Sequence, residues 1–292
     1  MSKKIILVDT SALIYSAFYS FGVLSHNGQP TGVIYGVFKK ILTVCEKLKS
    51  NRVLWCHDHP INGRKQIFTP YKEGRRKDLS PEEVEHHSMR EMQQGILRKE
   101  ALPKFGFRNH FRQSGYEADD FLAILSERYK DQKVVIVTAD ADMYQCLDHC
   151  DILNPSTMKM MTKKKFIEKF KCQPSQWAIC KAIGGCEGDN VIGIVGASDP
   201  KSGTSKAVKY VTGDLKSGVI YERIKSDKGK EIIRRNLPLV QLPFQPEGVQ
   251  PFLVRRNKFT KKRMIKVFSK YNFNSLLKDD IFNRYQKIFL EW

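Results

Sequence analysis

Residues 115–145 read "GYEADDFLAILSERYKDQKVVIVTADADMYQ", and this stretch decides the fold. Its "VVIV" (134–137) is a short, β-branched apolar run without alternation, flanked by helix-like sequence, as buried parallel strands are. "KIILVD" (4–9) has the same character, and "RVLWCHD" (52–58) is a less pure third example. Each runs into an acid: Asp9, Asp58 or Asp140. In an open α/β sheet the functional crevice lies outside the carboxyl ends of the strands, so these acids are expected at one edge. "YEADDFLAILSERYK" is an amphipathic helix with Glu117, Asp119 and Asp120 in its first turn, where the helix dipole favours negative charge. A lone Asp after a strand is ordinarily a cap or turn former, and an acidic first turn is ordinary too. Neither explains Asp140 and Asp142 alongside. Like charges in contact resist joint ionisation, so a group of this kind needs a cation.

The 292 residues are 41% apolar and 28% charged, enough for a substantial core in one large domain or two unequal ones. Lys and Arg number 50 against 31 Asp and Glu, a formal charge of +19. That excess points to a polyanionic partner, with a solvated basic surface as the alternative. The cysteines (45, 56, 146, 150, 172, 180, 186) show no CxxC pair and sit in apolar segments, so reduced core thiols of a cytoplasmic protein are expected. "MSKKIILVD" is too short for a signal peptide and no stretch approaches a membrane span.

"SALIYSAFYSF" (11–21) and "PTGVIYGVFKKILTVCEKLK" (30–49) have helical spacing and should cover the sheet. A basic loop follows, carrying Arg64, Lys72, Arg75, Arg76 and Lys77. Ser80, Pro81 and Glu83 form a capping box, and the helix behind it has a thin apolar stripe through Val84, Met89, Met92 and Ile96. This reads as a partly exposed loop and helix projecting over the crevice. Beyond residue 160 come basic segments of helical period separated by glycine-rich turns. "RRNKFTKKRMIKVFSKY" (255–271) is either a DNA-facing helix or a solvated one.

Several carboxylates without histidine or cysteine among them suit a hard divalent cation, Mg²⁺ or Mn²⁺ rather than zinc. In a basic protein such ions would face a phosphodiester, and a pair about 3.5–4 Å apart can activate water and stabilise the leaving oxygen.

The ordered set "ILVDTSALIYSAF", "HNGQPTGVIYGVFKKIL", "GRKQIFTPYKEGRR", "GYEADDFLAIL", "VTADADMYQCL" and "AIGGCEGDNVIGIVG" resembles the structure-specific 5′ nucleases. These are flap endonucleases, the 5′→3′ exonuclease domain of bacterial DNA polymerase I, and phage 5′ exonucleases or ribonucleases H. The resemblance runs from about residue 4 to 213. It implies an α/β fold: a PIN-like, mostly parallel central sheet flanked by helices, with a helical arch and a helix–three-turn–helix motif. The implied division is a catalytic domain over 1–175, with the arch at about 72–104, and a C-terminal helical DNA-binding region over 176–292. Asp9, Asp58, Glu117 and Asp119 resemble a first metal group supported by Asp120; Asp140, Asp142 and Asp189 resemble a second. Lys72 and Arg75 match the catalytic basic pair, with Tyr71 near the first unpaired base. Arg64, Arg76 and Lys77 fall among the nucleic-acid contacts. Gly193, Gly196, Gly203, Thr204 and Lys206 fall in the helix–three-turn–helix, which often holds K⁺. The implied substrates are DNA with a 5′ flap, nick or free 5′ end and the RNA of an RNA–DNA hybrid. Further expectations are a monomer, recruitment by a single-strand-binding protein or polymerase, and a replication role in the cytoplasm, of the host if the source is viral.

The chain departs from the pattern twice. Cys186 stands where the family usually has an aspartate, and a thiol is a poor ligand for Mg²⁺, so the second site is weakened or Glu187 substitutes. "ASDPKSG" (197–203) is inserted in the glycine turn and puts the K⁺ site in question. A P-loop reading of "GASDPKSGTS" fails because Thr204 and Ser205 separate the last glycine from Lys206. The remaining rivals are a non-catalytic nucleic-acid-binding protein and a PIN-class ribonuclease. "HDH" (57–59) reads as two histidines flanking Asp58 without binding metal.

Overall fold

The structure is a computed structural model describing residues 3–22, 24–76 and 79–291, without the side chains of Arg75, Arg76 and Pro246. Lys77 and the side chains of Arg75 and Arg76, expected to contact nucleic acid, therefore lie outside the described residues. In chain order, β1 (Ile5–Asp9) and α1 (Thr10–Phe21) lead to a hairpin of β2 (Ser25–His26) and β3 (Gln29–Pro30), then α2 (Gly32–Leu48) and β4 (Arg52–Cys56). α3 (Arg64–Ile67), α4 (Pro81–Ile96) and α5 (Leu102–Phe105) precede β5 (His110–Phe111), α6 (Ala118–Arg128) and β6 (Val134–Val137). β7 (Asp151–Leu153) and β8 (Met160–Met161) complete a six-stranded sheet of order β5-β4-β1-β6-β7-β8. Its pairings are parallel except β7–β8.

β1 is central and buried at every position, which is why its sequence does not alternate. Successive side chains still point to opposite faces. Ile6 and Val8 join one core with Val37, Phe38 and Ile41 of α2, whereas Ile5 and Leu7 join another with Phe121, Leu122 and Leu125 of α6. Each fully buried aliphatic side chain contributes about 1.5–3 kcal/mol. A single polar replacement in β1 would therefore loosen the helical layer on the face it occupies.

The remaining helices are α7 (Lys163–Phe170), α8 (Trp177–Gly184), α9 (Lys206–Val211), α10 (Val219–Lys225), α11 (Asp227–Val240), α12 (Lys261–Lys270) and α13 (Asp279–Phe289), with a hairpin of β9 (Gly185–Cys186) and β10 (Val191–Ile192) behind α8. The basic terminal segment becomes α12, which buries Met264, Val267 and Phe268 in the same core as Ile6 while its lysines stay exposed. Tyr285 of α13 donates a hydrogen bond to the Phe38 carbonyl at 2.8 Å. Packing thus runs across residue 175, because an apolar helix face needs the sheet beneath it wherever it lies in sequence.

Ser80 and Glu83 form the expected capping box on α4. The helix does not simply stand over the crevice, however. Gln93 is fully buried, and its side-chain oxygen accepts from the Val33 amide at 2.9 Å, capping the start of α2. Val84 and Met92 remain exposed, so α4 docks along one side, through Gln93 and Ile96. The cysteines are unpaired thiols and, except for the half-buried Cys186, buried.

Candidate active site

The expected acids converge at the carboxyl edge of the sheet. Asp9 ends β1 and caps α1, accepting from the Ala12 amide at 3.1 Å, while its other oxygen accepts from Thr138 Oγ1 at 2.8 Å. Asp58, just beyond β4, accepts from Ser11 Oγ at 2.5 Å and from the Ala118 amide at 2.9 Å, which ties the start of α6 to this edge. Asp140 follows β6 and accepts from the Asp142 amide at 2.7 Å.

Their mutual charge is felt. Burial first, then Asp58, push the Asp9 carboxyl up to about 7. Asp119 is held well above the usual carboxylate range by burial, then by Asp140, Asp9 and Asp58. A buried acid group that its own surroundings discourage from ionising fits a hard divalent cation, which would supply the missing positive charge.

Glu117 differs because cations already face it. Burial opposes its ionisation, but Lys72 and Arg64 outweigh burial and its pKa falls. The Lys72 ammonium pairs with Glu117 Oε1 and lies 5.0 Å from the Tyr71 ring centroid. Lys72 has a left-handed backbone (φ 57°), and its amide donates to the Asp189 carbonyl at 2.9 Å. The backbone thereby aims the side chain at the acids.

Of the residues assigned from the resemblance, Arg64 and Tyr71 sit differently. Arg64 is 1% exposed and every guanidinium nitrogen is engaged: with Asp120, with Glu117 and with the Leu239 and Gln241 carbonyls. It is an internal brace rather than a nucleic-acid contact. Asp120, expected in a supporting place, is fully buried and also accepts from the Glu117 and Phe244 amides at 2.9 Å, so its oxygens are committed to protein donors. Tyr71 is 2% exposed, with its hydroxyl 3.1 Å from Glu117 Oε2; a ring so enclosed cannot stack on a base in this conformation.

The second group centres on Asp142, Cys186 and Asp189, whose donor atoms lie within 4.8 Å of one another. Burial, then Asp140, raise Asp142 to about 6. The Cys186 thiol is pushed up to about 12 by burial, then by Asp142 and Asp189. A protonated thiol is a weak ligand for Mg²⁺. Sequence reasoning missed Lys181, whose ammonium is 3.1 Å from Asp142 and 3.4 Å from Asp199. The available signal was a lysine on the otherwise apolar face of "WAICKAIG". Asp199 belongs to the inserted segment, so the insertion reaches back to this group instead of lying open. Cys186→Asp should tighten divalent-cation binding about tenfold, the order that neighbouring groups command at such sites. Calorimetric titration without DNA would measure it, and an unchanged isotherm would show the position idle.

Beyond the acids, a Cβ on Gly193 would come within 2.3 Å of the Gly184 backbone, and Gly196 has φ 85°, so this turn requires glycine at both places. A Cβ on Gly203 would meet the Phe170 carbonyl at 2.8 Å. Thr204 is exposed and hydroxyl-bonded to Ser202 at 2.7 Å, and Lys206 opens α9 behind the Ser205 cap. His57 is buried against His110 at 3.0 Å and His59 accepts from the Ile61 amide at 3.1 Å, so both histidines are engaged away from Asp58.

Residues 4–171 match the family described as 5′-3′ exonuclease, N-terminal resolvase-like domain. The chain is 29% identical over 247 residues to a 5′-3′ exonuclease of Aquifex aeolicus, covering 82% of each chain. It is 29% identical over 210 residues to the 5′-3′ exonuclease of Bacillus subtilis, covering 68% of each. It is also 30% identical over 200 residues to the thermostable DNA polymerase I of Thermus aquaticus, where it covers 67% of this chain but only 23% of the polymerase. Among solved structures, bacteriophage T5 5′-exonuclease with bound zinc shares the fold, with a TM-score of 0.69, 18% identity, and coverage of 94% of this chain and 98% of that one.

Proposed function

The chain belongs to the 5′-3′ exonuclease family, and from that premise we propose that it hydrolyses phosphodiesters from free 5′ ends as a metal-dependent 5′→3′ exonuclease and flap endonuclease. The observation that carries the reading is the meeting of Asp9, Asp58, Asp119 and Asp140 at one sheet edge beside the Lys72 ammonium. Asp9, Asp58, Glu117 and Asp119 would hold one cation; Asp140, Asp142 and Asp189 would hold the other. Bound there, Mg²⁺ or Mn²⁺ would activate a water and neutralise charge on the phosphate. Lys72 supplies a partly open cation at the rim, able to exchange Glu117 for a phosphate oxygen. The same role toward phosphate is proposed for Arg75.

The proposed substrates are 5′-flapped, nicked or blunt DNA and the RNA strand of hybrids, gripped by the turn around Gly193 and Gly196 with Thr204 and Lys206, where K⁺ would bind. A T5 flap endonuclease solved with DNA and metal ions has a TM-score of 0.67 to this chain, which supports DNA as the partner. The division at 175 is retained as a proposal about where duplex is held, as are the monomeric state and recruitment by a polymerase or single-strand-binding protein. Among the described residues no helix is long and apolar enough to cross a membrane.

The test is cleavage of end-labelled flap, nicked and blunt duplexes with Mg²⁺ or EDTA; persistence in EDTA, or products starting from the 3′ end, would refute the reading. Lys72→Ala should slow single-turnover cleavage by about 10²-fold while changing duplex affinity little. Equal losses in rate and affinity would reduce Lys72 to a general phosphate contact.

A further inference from the structure

Burial alternates along the segment that forms β5. Arg108 is exposed, Asn109 buried, His110 half-buried, Phe111 buried and Arg112 half-buried. Alternate residues of an extended chain share a face, so Arg108, His110 and Arg112 form one outward row on the edge strand of the sheet. At about 3.3 Å per residue the row is roughly 13 Å long, near the rise of four base pairs. Its carboxyl end belongs to the acid site, because Arg112 Nε donates to the Asp58 carbonyl at 2.9 Å. Burial brings the His110 imidazole down to about 4, so the ring stays neutral and the charge of the row is that of its arginines. Arg98 stands close enough for its charge to act on both His110 and Arg112.

The basic terminal segment supplies the facing wall. The Lys258 amide donates to the Gly106 carbonyl at 2.8 Å and the Arg108 amide to Asn257 Oδ1 at 2.9 Å, which lays 257–258 beside 106–108. Arg263 Nη1 in turn donates to the Lys258 carbonyl at 3.2 Å. The result is a cleft of about 440 Å³ lined by Pro103, Phe107, Arg108, His110, Lys258 and Arg263, three cations and no acid. None of the three is ion-paired among the described residues. Arg263 also stands with Lys261 and Lys262 in the first turn of α12, which carries no acid. The helix dipole disfavours cations there, so this placement costs stability unless an anion answers it. Basic side chains scattered over a surface would be ordinary solvated charge. Cations that wall a cleft, oppose a helix dipole and continue to the carboxylate site suit a phosphate backbone, which brings a negative charge at every step.

Asp142, Cys186 and Asp189 place the glycine turn on the β6 side of the site, whereas Arg112 and the cleft lie on the far side of β4. The two surfaces therefore flank the acids. A nicked or flapped substrate likewise carries duplex on both sides of the cleavage point. We propose that Arg108, Arg112, Lys258 and Arg263 form a phosphate cleft along the β5 edge that holds the second duplex arm, opposite the arm gripped at the glycine turn. The inference rests on the nuclease reading and names a part of the substrate that the glycine turn does not take.

The experiment measures binding in EDTA, across a salt series, of a 5′-flapped DNA with both duplex arms and of the same flap strand on a template without the second arm. Each duplex phosphate neutralised adds about 0.9 to the slope of log affinity against log salt, so the wild-type slope should be steeper by about two to three on the two-armed DNA. The Arg108→Ala/Lys258→Ala/Arg263→Ala variant should lose that excess and bind two-armed DNA about tenfold or more weakly, with one-armed binding little changed. The Arg108→Lys/Arg263→Lys variant keeps the charge and should keep the slope; matching melting curves for all three proteins would separate lost contacts from lost folding. Equal losses on the two DNAs, or no loss on either, would overturn the cleft. A triple variant that binds both DNAs normally but loses affinity for an oligoglutamate peptide would assign the cleft to an acidic protein and also overturn it. Wild-type slopes that match on the two DNAs would overturn the cleft alone, whereas failure of the wild-type chain to bind either DNA would overturn the nuclease reading with it.

Discussion

Asp119→Asn should lower cleavage on the order of 10³-fold and, in chelator, make the protein more stable. Both effects have one cause. Asp119 faces Asp140, Asp9 and Asp58 in a buried setting that holds its pKa well above the usual range. A carboxyl whose folded pKa exceeds its unfolded value binds its proton more tightly when folded, so its ionisation subtracts from stability. The loss begins as pH rises past the unfolded pKa and is complete above the folded one. For Asp9 that window runs from 3.8 to about 7, and for Asp142 from 3.8 to about 6. The metal-free protein should therefore melt at progressively lower temperature between roughly pH 4 and pH 7, with a shallower slope in the Asp119→Asn variant. Relief of the repulsion is expected to raise the melting temperature of the metal-free protein at neutral pH. Calorimetry with EDTA and with Mg²⁺ would check it: the cation should restore the wild-type chain and do less for the variant. A variant that melts lower than wild type in chelator would show that Asp119 is not under charge strain.

Arg64→Met should produce the opposite balance, a loss of about 3–5 kcal/mol in folding stability with only an indirect effect on DNA. The guanidinium is enclosed, and removing it leaves Asp120 and part of Glu117 as buried charge without their partner. It would also free the Leu239 and Gln241 carbonyls, which anchor the end of α11 to the base of the site. Urea unfolding followed by fluorescence gives the stability directly. Cleavage should fall as well, because Glu117 and the first turn of α6 lose their brace. Weaker DNA binding at unchanged stability would instead restore Arg64 to the nucleic-acid surface.

The contrast between these residues shows what a linear reading can reach. Asp9, Asp58 and Asp140 were legible because each follows a short apolar run, and parallel strands deliver their carboxyl ends to one edge. Glu117 and Asp119 were legible from their position at a helix start. Arg64 and Tyr71 lie in a basic loop, and charge in a loop reads as surface until packing shows which side chains turn inward. Lys181 and Asp199 meet only because the insertion folds back over α8, a closure with no local signal. The two- and three-residue strands β5, β7 and β8 were too short for any period to register, and they form because neighbouring backbone offers them partners.

Thus the sequence by itself determined the parallel sheet, the acidic edge and the basic balance, since burial on both faces dictates composition and a cluster of like charge demands a counter-ion. Tertiary structure alone decided which cation answers which acid: Arg64 to Asp120, Lys72 to Glu117 and Lys181 to Asp142. Ion pairing depends on distances of a few ångströms between groups remote along the chain, and those distances exist only once the cores on both faces of β1 have closed.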